Sequence, residues 1–87
     1  MKSIYTIENG ATVQGTYLGT PYTGIVREQR QHTMNHRIRM FSVDLDAPVT
    51  VFGMERASLL INASDDLSSL RQYLGHEPDA IAIERVA

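Results

Sequence analysis

Residues Arg37 to Ala63, RIRMFSVDLDAPVTVFGMERASLLINA, decide how the rest of the chain is read. They contain both phenylalanines, two of the four methionines and eight of the twenty isoleucine, leucine and valine side chains. From Phe41 the pattern has period two: Phe41, Val43 and Leu45 are apolar, and Ser42, Asp44 and Asp46 are polar. Successive side chains leave opposite faces of a strand, so this alternation predicts a half-buried strand. Upstream the phase is reversed, with Ile38 and Met40 apolar between Arg37 and Arg39. An extra residue in the ladder would reverse it, which places a β-bulge near Met40–Phe41. Asp46-Ala47-Pro48-Val49 reads as a turn, because proline fixes φ and cannot donate to a ladder. Val49 to Phe52 reads as a short strand ended by Gly53, and Ser58 to Ala63 as another. Met54–Leu60 is left between a connection and a helical turn.

Working outward, Ile4, Tyr5 and Ile7 suggest a first strand. Asn9-Gly10 is a two-residue hairpin signal because both residue types tolerate positive φ. Thr12 to Leu18 is the returning strand, Gly19-Thr20-Pro21-Tyr22 a turn, and Thr23 to Arg30 the next strand. Gln31 to His36 (QHTMNH) is a polar loop. One helix is expected at about 65–74: Ser64, Asp65 and Asp66 supply its cap and N-terminal charge, and Leu67, Leu70 and Leu74 form one stripe. Gly75 and Pro78 end it. Ala80-Ile81-Ala82-Ile83 reads as a terminal strand. The expected fold is α+β: a small, mostly antiparallel sheet or partly open barrel of five or six short strands, with one helix in the C-terminal half followed by a terminal strand.

The totals set limits on function. Eighty-seven residues make one compact domain with a thin stability margin. An apolar fraction of 43% with 21% charged residues is that of a folded chain rather than a disordered one. There is no cysteine, so disulfides, thiolate catalysis and cysteine-zinc sites are excluded. No apolar run approaches the ~20 residues of a membrane span, and MKSIYTIENG lacks a signal-peptide core, so the expected compartment is the cytoplasm and no membrane partner is expected.

The most chemically distinctive stretch is Arg27 to Arg39, REQRQHTMNHRIR, with four arginines against one glutamate. If its strands pair, Arg27, Arg30, Arg37 and Arg39 collect on one basic arm. The planar guanidinium fork suits phosphate and carboxylate, which makes the arm a candidate anion, nucleotide or nucleic-acid site; a hairpin kept soluble by charge, or one docked on the acidic surface of a second copy, is the simpler reading. His32 and His36 lie four apart in a loop, where that spacing has no metal-binding force, so they join the arm as candidate ligand residues rather than as metal ligands. Asp44 and Asp46 share one strand face, as magnesium-binding pairs do and as ordinary solvent-facing strands also do. GTYLGTPYTG carries no phosphate-loop or dinucleotide spacing, but Tyr17 and Tyr22 are candidates to line a pocket. No nucleophile elbow, triad, metal set or cofactor signature is found.

Met34, Met40, Phe41 and Met54 cluster around the central stretch, and the phase reversal puts apolar residues on both faces of one strand. A homo-oligomer, a dimer in the first instance, would cover the second face; so would closure of the sheet into a barrel. The sequence is therefore read as a non-catalytic, self-associating interaction module. Nucleotide or nucleic-acid binding by the basic hairpin is the alternative, and a small-molecule enzyme with a site shared between subunits ranks third.

Overall fold

A computed structural model describes residues 4–33, 36–65 and 81–86. Five strands form one antiparallel sheet: β1 (Thr12–Tyr17), β2 (Thr20–Gln31), β3 (Arg39–Val51), β4 (Met54–Ala63) and β5 (Ile81–Arg85). Their spatial order is β4-β3-β2-β1-β5. The sheet is not closed, yet it curls until Cα atoms of the edge strands β4 and β5 come within 8 Å of one another. The sheet-dominated class expected from the sequence is thus observed. The expected helix at about 65–74 falls, beyond Asp65, outside the described residues.

Strand alternation builds the core. Val13 on β1, Tyr22 and Val26 on β2, Phe41 and Val43 on β3, Leu59 and Ile61 on β4, and Ile83 on β5 are all buried on one face. The cross-strand pairs Val26↔Val43, Phe41↔Ile61 and Val43↔Leu59 put these side chains in adjacent rows. Burying Phe41 completely is worth about 2–3 kcal/mol relative to leaving it exposed. The other face is wetter, with Gln14, Thr23 and Asp44 exposed.

The phase break lies on a different strand from the one expected. Val26 pairs with Val43 and Glu28 with Ser42, so Arg27 is the extra residue and the bulge is on β2. Asn9 Oδ1 accepts from Gln29 N–H at 2.8 Å just beyond it. Met40–Phe41 is regular, and the apparent reversal there has another cause. Ile38 precedes the first ladder residue, so strand parity does not govern it, and it is fully buried. Arg39 shares the inner face with Phe41, its guanidinium 5.5 Å from the centre of the Tyr5 ring.

Other local expectations are also corrected. Ile4–Thr6 is a 3-10 turn rather than a strand. Asn9-Gly10 does turn, but Gly10 N–H donates to Val26 O and Ala11 O accepts from Val26 N–H, so the segment runs beside β2 instead of forming a hairpin with β1. Asp46–Val49 does not reverse the chain. Between the pairs Asp44↔Ser58 and Val49↔Arg56, residues 45–48 of β3 face the single residue 57 of β4, and the strand buckles and continues. Met54–Leu60 is strand, within β4.

Both tight hairpins turn on two residues. Tyr17↔Thr20 flank Leu18-Gly19, and Val51↔Met54 flank Phe52-Gly53. All four turn residues have positive φ: 50° and 85° in the first pair, 51° and 74° in the second. This is the type I′ geometry that matches strand twist. The expected turn at Gly19–Tyr22 is therefore two residues late. Pro21 sits inside β2, in the non-hydrogen-bonded pair with Thr16, where its missing N–H would face away from β1 and where β3 has not begun to pair. Leucine and phenylalanine in the left-handed region cost about 1 kcal/mol or more each.

Candidate functional site

Two adjoining concavities meet over β1 and β5. Gln14, Gly15, Thr16 and Glu84 line both. One, of about 510 Å³, is walled by Pro21, Thr23 and the buckled Ala47-Pro48-Val49 of β3. The other, of about 540 Å³, is walled by Ile4, Ile7, Ile83, Asp65 and Arg85. At the shared centre Gln14 Nε2 donates to Glu84 Oε1 at 2.8 Å. The strand pair Gln14↔Glu84 makes this contact unavoidable, since directly opposed residues share a face. The second carboxylate oxygen of Glu84 and the hydroxyls of Thr16 and Thr23 give the groove several acceptors and rotatable donors between apolar walls.

Gly15 and Tyr22 shape the floor. They are directly paired, and the buried Tyr22 hydroxyl donates to Ala82 O at 2.8 Å. A Cβ on Gly15 would lie 1.9 Å from Ala82 O and 3.0 Å from the Tyr22 hydroxyl, so only glycine lets β5 and the tyrosine close over β1. Burial pushes the Tyr22 phenol well above its ordinary value. Tyr22 is therefore a structural strut. Tyr17, half-buried, packs against the core at the other end of β1.

The basic arm forms as a hairpin: Gln31 pairs with Arg39, and His32 N–H donates to Ile38 O. Its arginines nevertheless do not converge. Arg27 stands on the bulge with its Nε 3.7 Å from Asp44 Oδ1, both side chains more than half exposed. Such a contact contributes little. Arg30 pairs with Met40 on the outer face, whereas Arg39 lies on the inner face between Tyr5 and Gln31, to whose Oε1 its Nη1 donates at 3.3 Å. Arg37 accepts the Tyr5 hydroxyl on its backbone carbonyl at 2.5 Å. His36 Nδ1 contacts the Gln31 side-chain amide. The bulge, invisible to a count of charges, is what divides them.

Among the interface candidates, Phe41 is wholly enclosed in the core, Met40 is half-buried, Met54 is 61% exposed at a hairpin tip, and Met34 lies outside the described residues. No group of three or more histidine, aspartate or glutamate side chains converges among the described residues, so no donor set for a metal is assembled by them. Among those residues, too, no helix is long and apolar enough to cross a membrane.

A protein-family model, described as "Glyoxalase superfamily protein", matches residues 2–74. The chain belongs to the glyoxalase superfamily. The match spans β1 to β4 and both tight hairpins, while β5, which carries Glu84, lies beyond it. No curated protein and no solved structure matches the chain. Membership overturns the expectation of a non-catalytic interaction module, since this superfamily's fold is often enzymatic or binds small molecules, and nothing in the match supports such a module. No short motif in the sequence announces it: the likeness is distributed along most of the chain.

The reading from sequence missed Gln14, Thr16 and Glu84 entirely. The only signal that could have found them is the pairing of the terminal strand with β1, and a strand's partner is not written in its own period.

Proposed function

We propose that this protein handles a small oxygenated organic molecule, held in the groove across β1 and β5, as a binder or enzyme of the glyoxalase superfamily. The observation that carries the reading is the Gln14–Glu84 pair at the meeting point of two concavities of about 510 and 540 Å³. Ligand sites are concave and mostly apolar, with a few convergent polar groups, and this groove has that composition. Gln14 fixes one oxygen of Glu84 and leaves the other to accept a proton or hydrogen bond from a ligand hydroxyl or an acidic carbon. Thr16 and Thr23 offer hydroxyls to a carbonyl oxygen. The family's name points to small carbonyl compounds, and hydroxy-carbonyls match these donors and acceptors.

Hydroxyacetone titrated into labelled protein is expected to shift the amide signals of Gln14, Thr16, Thr23 and Glu84. Glu84→Gln preserves the contact to Gln14 and removes the charge, so it should fold normally and bind or turn over the ligand at least tenfold less well. Signals that move elsewhere, or unchanged affinity in Glu84→Gln, would refute the site.

A further inference from the structure

The two type I′ turns lie at the same end of the sheet, because alternate connections of an antiparallel meander return to the same side. Each places a large apolar residue, Leu18 or Phe52, in the left-handed conformation that asparagine or glycine adopts with less strain. Phe52 is 87% exposed and Met54 61%. Folding alone does not account for a residue that is strained in its backbone and wet in its side chain. Backbone outliers of this kind cluster at ligand sites.

Beneath the Phe52 tip is a small pocket of about 170 Å³, lined by Tyr17, Val51, Phe52, Met54, Arg56 and Leu59. Arg56 pairs with Val49 and Glu55 with Thr50, so these successive side chains leave opposite faces of β4, and Arg56 is the one that lines the pocket. Among the described residues Arg56 makes no ion pair, so none of their carboxylates neutralises the positive charge at the rim of this apolar pocket.

We propose that this hairpin-end pocket binds a small organic anion, an aromatic or short aliphatic carboxylate, separately from the groove over β1 and β5. The guanidinium of Arg56 takes the carboxylate through its two parallel donors. Tyr17, Val51, Met54 and Leu59 receive the apolar body, and the Phe52 ring covers it. The pocket volume admits a benzoate-sized acid and excludes nucleotides.

Benzoate is the probe, titrated into the full chain and followed by amide chemical shifts, with benzamide as the uncharged isostere. Signals of Tyr17, Val51, Met54 and Arg56 should move, benzamide should bind at least tenfold more weakly, and Arg56→Gln should lose benzoate to the same degree. Phe52→Asn provides the control for folding: asparagine suits the turn, so the melting temperature should hold or rise while benzoate affinity falls. Equal binding of benzoate and benzamide, or undiminished binding by Arg56→Gln, would overturn the assignment. A concentration-dependent dimer that Phe52→Asn dissociates would overturn it as well, by showing that the tip is covered by a second copy of the chain.

Discussion

The two ends of the curled sheet are built on opposite principles. At one end the 3-10 turn, the loop into β3 and the end of β4 are tied together. Ile7 and Ile38 are buried there, and the Tyr5 hydroxyl reaches both Arg37 O and, at 3.1 Å, Ser64 Oγ. Arg39 stacks on the same ring. At the other end, two strained turns present Leu18 and Phe52 to solvent. The first end gains stability from every contact it makes; the second forgoes it. Small domains have little stability to spare, so an end left strained and apolar marks where the surface is shaped by something other than folding.

The largest effect that separates the ends should come from the closed one. Phe41→Ala, beside Ile61 in the core, is expected to cost about 3–5 kcal/mol, a large part of a small domain's total, and to appear in denaturant melts as partial or complete unfolding. An intermediate effect is expected where β5 docks. Tyr22→Phe leaves Ala82 O without its partner and should cost about 1–2 kcal/mol.

The same substitution sharpens a pH dependence. The folded-state value of Tyr22 is raised, so the native state holds its proton longer than the unfolded chain does. Its contribution is complete below the ordinary tyrosine value of 10.0 and is lost as pH rises above it. Alkaline melts should show a decline that Tyr22→Phe removes.

The smallest effect has the opposite sign. Phe52→Asn at the open end should leave stability unchanged or raise it by about 1 kcal/mol through relief of the left-handed strain. A loss of stability on that substitution would mean that Phe52 packs in solution, and the contrast between the ends would fail.

The amino-acid sequence by itself determined the strand character of most of the chain and the inward face of β3. The alternation of Phe41, Val43 and Leu45 against Ser42, Asp44 and Asp46 carries that information locally, because strand parity is a property of successive residues. Three things were decided only by tertiary structure. The bulge at Arg27 placed Arg30 and Arg39 on opposite faces, since one unpaired residue reverses parity for everything after it. The docking of β5 on β1 made Gln14 and Glu84 neighbours although 70 residues separate them, and nothing in either segment names the other. The curl of the sheet gathered Tyr17 from β1 with Val51 and Arg56 from the second tight hairpin around one pocket. Period and composition are local quantities, whereas pairing and curvature depend on which surfaces meet, and both candidate sites belong to the second kind.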